Sequence, residues 1–128
     1  MDVRRRRRRV RAGGGDLTVD LEIPGAPVPK GRPRKGRNGR FYTPKRTQAA
    51  EAAVAWHAHT AGVRFDGPVR VELDFYGGRG DADNLAKTVL DGLQKGGLLR
   101  DDRQVMELAI HKHPRDENPR TIVEVSDL

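Results

Sequence analysis

The sequence predicts an α+β fold: one small domain in which a mixed sheet of about four strands carries two helices on one face, preceded by a basic, disordered arm. Three observations lead there. Four segments have the composition or period-two alternation of strands, and two have helical spacing or strong helix propensity. They follow one another as strand, helix, strand, helix, strand, strand. The chain of 128 residues is long enough for one modest core and too short for two ordinary domains.

Residues 1–15 are expected to be the arm and residues 16–128 the domain. Six consecutive arginines, Arg4 to Arg9, then Arg11, repel one another, and Gly13, Gly14 and Gly15 resist ordering. The arm reads either as a tether for nucleic acid or as a solvated tail. Leu17, Val19, Leu21 and Ile23 share one face of a strand over 17–23, which Pro24 ends. From there to Tyr42, prolines and glycines predict a long irregular loop, a kind that is usually functional or disordered.

Thr43 and Pro44 open a helix over about 44–60, rich in alanine and closed by Gly62. Residues 69–76 form the clearest strand, with Val69, Val71, Leu73 and Phe75 on one face. After a Gly-Gly-Arg-Gly turn, Leu85, Val89 and Leu93 mark a short amphipathic helix over 84–95. Strands follow over 104–113, with Met106, Leu108 and Ile110 inward, and over 120–126. Trp56 is expected in the core.

The net charge is +7 with a pI near 10.4, which favours a polyanionic partner, since Lys and Arg release condensed counterions from phosphates. Residues 1–13 account for most of it, seven arginines against Asp2. A second basic patch, free of acids from Ile23 to Ala50, carries Lys30, Arg32, Arg34, Lys35, Arg37, Arg40, Lys45 and Arg46. All of these but Arg46 are taken as the DNA-binding set, with Pro33 splaying Arg32 and Arg34. Phe41 and Tyr42, within the patch, either stack on unpaired bases or anchor the loop. The chain has no cysteine, so disulfides, thiolate zinc sites and a cysteine nucleophile are excluded. No apolar run approaches a membrane span and the arginine start lacks a signal peptide's apolar stretch, so the expected location is a cytoplasm.

Carboxylates carry the chemistry. Asp81 and Asp83, at i and i+2 before a helix, point to one side, and Asp101 and Asp102 follow. Oxygen ligands of this kind suit Mg²⁺, with Mn²⁺ as a substitute, because adjacent carboxylates repel unless a cation neutralises them. A calcium EF-hand loop from Asp81 fails, since Ala86 and Gly92 occupy the positions of its glycine and glutamate. The plainer alternative is that Asp83 caps the helix and Asp101 and Asp102 make a turn. Lys87 lies one helical turn after Asp83 and either neutralises a phosphate in the transition state or pairs with Asp91. Roles for Asp74, Asp101 and Glu107 stay open; His57 and His59 cannot share a helix face, and His111 and His113 read as a solvated strand face.

The run Asp81 to Val105, "DADNLAKTVLDGLQKGGLLRDDRQV", resembles the signature of the RusA family of Holliday junction resolvases, and "KGRPR" with "YTPK" resembles its phage and Gram-positive branch. The resemblance spans residues 17–126. It implies a homodimeric, Mg²⁺-dependent endonuclease that nicks four-way DNA junctions in pairs during recombination and repair, encoded by a phage or prophage. On this sequence Asp81, Asp83 and Asp102 resemble the metal-binding catalytic aspartates, and Lys87 the catalytic lysine. The other readings are a catalytically idle protein that binds branched DNA and a nuclease acting on other branched substrates.

Overall fold

The computed structural model describes residues 8–13 and 16–128, with side chains from Leu17 onward. Strands β1 (Arg8–Gly13) and β2 (Asp16–Pro24) come first, and then a short hairpin of β3 (Arg34–Lys35) and β4 (Phe41–Tyr42). Helix α1 (Lys45–Thr60), β5 (Val69–Tyr76), α2 (Ala82–Lys95), β6 (Val105–His113) and β7 (Arg120–Asp127) complete the chain. The main sheet has the order β1-β2-β7-β5-β6, antiparallel except for the parallel pair β5 and β6, which α2 connects. This is the expected small α+β domain.

Its core follows from the period-two pattern. Val69, Val71, Leu73 and Phe75 of β5 are buried with Val19 and Leu21 of β2 and Val123 and Val125 of β7. Register places Val123 beside both Leu21 and Leu73. Val54 and Ala58 of α1 and Leu85, Val89 and Leu93 of α2 close the same cluster from above. The helices approach closely because Gly92 has no side chain: a Cβ there would lie 2.5 Å from that of Val54.

Four expectations change. Residues 8–13 of the arm are strand β1, paired with β2 from Arg8↔Leu21 to Gly13↔Asp16; the backbone of β2 offers an open edge whose hydrogen bonds compensate the ordering of this segment. The expected disorder of residues 1–7, 14 and 15 lies outside the described residues. The loop to Tyr42 contains the β3–β4 hairpin. Met106 and Leu108 are 63% and 43% exposed, because β6 is an edge strand packed against the core only at Val105 and Ile110, and Met106 is the extra residue of a bulge between Val69 and Arg70. Trp56 is also exposed, edge-on to His57, since α1 buries only Thr47, Glu51, Val54 and Ala58. Among the described residues, no helix is long and apolar enough to cross a membrane.

Candidate active site

β5 ends at Tyr76 and the chain turns through Gly77–Gly80 to begin α2. Gly80 has φ +122°, and a Cβ on it would lie 2.9 Å from the Cβ of Pro29, so neither its backbone nor its surroundings admit a side chain. The turn delivers Asp81 to the N-cap position and Asp83 to the first turn of α2, where the partial positive charge of the helix end favours carboxylates. Asp81 makes no side-chain cap hydrogen bond. Asp81, Asp83 and Lys87 are all exposed, and among the described residues their side chains have no hydrogen-bond or ion-pair partner. Lys87 therefore does not pair with Asp91.

Asp91 belongs to a different network. Glu51, 1% exposed on α1, accepts from Lys30 at 2.5 Å and from Lys95, while Lys30 also meets Asp91 at 3.0 Å. Burial favours the neutral acid at Glu51, but the two lysines outweigh it and hold its pKa below the usual value. Burial likewise opposes the charge on Lys30, and Glu51 and Asp91 outweigh it, holding that pKa above the ordinary lysine value. Lys30, one of the expected DNA-binding residues, is thus engaged inside the protein: its ammonium fastens the loop to both helices. The fastening reaches the site, because the Lys30 amide donates to the carbonyl of Asn84 at 2.9 Å and the Gly31 amide to Thr47 Oγ1 at 3.0 Å.

The other expected cations, Arg32, Arg34, Lys35, Arg37, Arg40 and Lys45, are exposed. Beside Asp81, a cleft of about 430 Å³ lies between Ala26, Pro27, Pro29 and Gly77–Gly80, with Arg46 and Arg79 in its wall. Arg79 was hidden in the sequence as a turn residue, and Arg46 as the last of a run of basic residues. Only the packing of the proline loop on the glycine turn brings the two together.

Asp101 and Asp102 stand elsewhere. β6 runs parallel to β5, so the turn that starts β6 lies at the beginning of β5, whereas Asp81 follows its end. Eight residues of strand separate these ends by about 25 Å. Asp101 caps the 3₁₀ turn Asp102–Gln104: its Oδ1 accepts from the Arg103 amide at 2.9 Å and its Oδ2 from the Arg103 guanidinium at 2.9 Å. That guanidinium, helped by the amide, lowers its pKa to about 2. Gln104 then anchors the turn by donating to the carbonyls of Phe65 and Gly67. Asp102 itself is exposed. Asp74 bonds His113 at 2.9 Å and Glu107 lies 3.5 Å from Arg70, on the sheet face away from the helices, so neither joins Asp81. Among the described residues no three acidic or histidine side chains come close enough to hold a metal ion. A single chain offers Asp81 and Asp83 to a cation but does not bring Asp102 to them.

Residues 24–126 match the family described as endodeoxyribonuclease RusA. The chain belongs to the RusA family. That family resolves Holliday junctions by endonucleolytic cleavage, and the match includes both aspartate pairs, Lys87 and the basic loop. No curated protein matches the chain. Among solved structures it is similar to the OmpA-like domain of FopA1 from Francisella tularensis subsp. tularensis SCHU S4, at 17% identity over 93% of this chain and 79% of that one, with a TM-score of 0.40. So loose a likeness has no bearing on what a RusA-family chain does.

Proposed function

We propose that this chain is a structure-selective endodeoxyribonuclease that resolves four-way DNA junctions by paired phosphodiester hydrolysis, serving recombination and repair in a bacterial cytoplasm as a phage or prophage product. The observation that carries the reading is the pair of exposed carboxylates at the start of α2, with Lys87 one turn on, all three without a partner among the described residues, and a loop of exposed cations fastened beside them. Carboxylates that neither cap nor pair are free for an external cation. Mg²⁺, or Mn²⁺ in its place, is part of the proposal because oxygen ligands suit these ions. Arg32, Arg34, Lys35, Arg37, Arg40 and Lys45 hold the phosphate backbone, Arg46 and Arg79 receive phosphate in the cleft, and Lys87 neutralises charge on the phosphate being cut.

The working unit in this reading is a homodimer whose two sites are each shared between subunits. β6 is an open edge with Met106 and Leu108 exposed, and such an edge is a template for another strand. The far end of β6 touches the glycine turn: the Gly77 amide donates to the His113 carbonyl at 2.8 Å and Lys112 Nζ to the Gly80 carbonyl at 2.7 Å. Antiparallel pairing of β6 with its copy about a two-fold axis sets the start of one strand against the end of the other. Asp102 of the partner subunit then lies by Asp81 and Asp83, and Glu107 faces the basic end of the strand opposite. The test is to incubate the protein with a four-way junction, a fork and a linear duplex, with and without Mg²⁺. Paired nicks in the junction, dependent on Mg²⁺, are expected; equal cutting of the duplex, or none of any substrate, contradicts the proposal.

A further inference from the structure

The β3–β4 hairpin carries an aromatic side chain in a setting that an ordinary loop does not provide. Its strands pair Arg34 with Tyr42 and Lys35 with Phe41, and its tip is closed by the Gly36 amide on the Arg40 carbonyl at 2.8 Å, the Gly39 amide on the Gly36 carbonyl at 3.0 Å and the Arg40 amide on Asn38 Oδ1 at 3.0 Å. These bonds give the tip a defined shape. Phe41 is 72% exposed and Tyr42 47% exposed. On so short a strand the two point to opposite faces. Tyr42 lies over its own hairpin, 3.7 Å from where a Cβ on Gly36 would stand, while Phe41 has no aromatic neighbour among the described residues. Anchoring the loop is therefore not the work of Phe41. The hairpin is held instead at its root, by Lys30 on Glu51, the Gly31 amide on Thr47 and Gln48 Nε2 on the Thr43 carbonyl at 2.6 Å.

Leaving a phenyl ring in water forgoes the free energy of its burial, and placing it among like charges favours an anionic surface that also has apolar faces. Nucleic acid with unpaired bases has both: phosphates for Arg34, Lys35, Arg37 and Arg40, and a base plane for the ring. An intact duplex offers the phosphates but hides the planes in its stack. We propose that Phe41 stacks on an unpaired base at the branch point, so that this hairpin, rather than the cations it shares with any duplex-binding loop, distinguishes branched from linear DNA. Phe41 is two extended residues from Thr43, where Gln48 fixes one side of the root, about 7 Å, and the other side of the root, Lys30, bonds Asn84, the neighbour of Asp83. A base seated on Phe41 thus belongs to the branch presented to Asp81 and Asp83. The inference rests on the junction-binding reading of the site and names the element that recognises the branch.

Two measurements test it on the full chain. In affinity assays, Phe41→Ala should lose roughly 10- to 100-fold on a four-way junction and a bulged duplex and stay within twofold on linear duplex, Phe41→Trp should restore the loss, and Tyr42→Ala should have the smaller effect. Equal loss on every DNA, or no loss on the junction, overturns the proposal. So does a shift of Phe41→Ala from dimer to monomer in sedimentation, which would give the ring to a second copy of the chain. The second measurement does not depend on cleavage. Trp56 is the chain's one tryptophan, so Phe41→Trp in a Trp56→Phe background reports on position 41 alone. Its emission should be quenched by a junction or a single strand and not by linear duplex or by an abasic residue at the branch. Quenching in a protein that never cuts a junction sustains the stacking and refutes the nuclease reading; junction cutting without quenching does the reverse.

Discussion

Asp81–Asp83 and Asp101–Asp102 are both pairs of nearby aspartates at the start of a helical turn, yet they are in opposite chemical states. Asp101 is consumed by its own turn, its Oδ1 accepting from the Arg103 amide and its Oδ2 from two N–H groups of the Arg103 guanidinium, with a pKa of about 2. Asp81 and Asp83 have neither cap nor partner among the described residues. What differs is the neighbourhood: a cation two residues on, Arg103, satisfies Asp101, whereas Asp83 is followed by Lys87, a turn away and pointing to solvent. Identical residue types therefore differ in state: Asp101 is spent on structure, whereas Asp81 and Asp83 at the other end of β5, and Asp102 beside Asp101, are exposed.

The largest expected effect breaks the free pair. Asp83→Asn should lower junction cleavage by roughly 1000-fold or more while leaving affinity unchanged or tighter, since it removes a carboxylate oxygen from the site and a negative charge from beside phosphate. Single-turnover cleavage and equilibrium binding on the same junction separate the two. Undiminished cleavage removes Asp83 from the site.

Next comes the buttress of that end. Glu51→Gln leaves Lys30 and Lys95 without their shared carboxylate; a broken buried pair costs about 3–5 kcal/mol, but both lysines still reach water, so about 2 kcal/mol is expected in denaturant unfolding. The network also has a pH signature. The pKa of Glu51 is depressed, so its contribution is complete above the ordinary value of 4.5 and is lost as pH falls through the depressed one. That of Lys30 is raised, so its contribution is complete below 10.5 and is lost as pH rises through the raised one. The Glu51→Gln deficit should therefore be constant between these limits and shrink outside them. A deficit that grows on acidification contradicts the network.

Lys87→Ala should cost on the order of 100-fold in turnover with little change in affinity, if its ammonium acts on charge that develops during cleavage. A change confined to binding makes Lys87 a positioning residue. Smallest is Asp101→Asn, which weakens a cap and an exposed ion pair: a slight loss of stability in denaturant unfolding and less than roughly tenfold in cleavage. A loss as deep as that of Asp83→Asn would abolish the contrast between the pairs.

Much of the fold could be read from the chain because local rules and tertiary packing agree. β5 matches its predicted range, 69–76, since each of its inward side chains is buried by a neighbour. Failures fall where burial depends on position in the sheet. Met106 and Leu108 alternate as core residues do, but an edge strand lacks a cover; Trp56 sits on a helix whose buried face is narrow. Residues 8–13 look incompatible with order because repulsion between their arginines is legible and an open edge on β2 is not. In the candidate site, the residue types and the i, i+2 spacing were visible, and so was Lys87. Hidden were the capture of Lys30 by Glu51, 21 positions away, and the distance between the two aspartate pairs. That distance follows from the parallel pairing of β5 and β6: a helical crossover returns the chain to the opposite end of the sheet.

The central claim, a site shared between two subunits, is tested most directly by complementation. Asp83→Asn and Asp102→Asn chains, each inactive alone, are mixed and exchanged, and heterodimers are verified by differential tags before a supercoiled cruciform plasmid is added. If the site is shared, each heterodimer contains one intact set, Asp81 and Asp83 from one chain with Asp102 from the other. Nicked circles should then appear at about a quarter of the wild-type nicking rate, because half the dimers are mixed and each mixed dimer has one working site of two. Verified heterodimers that remain as inactive as either parent would contradict the account.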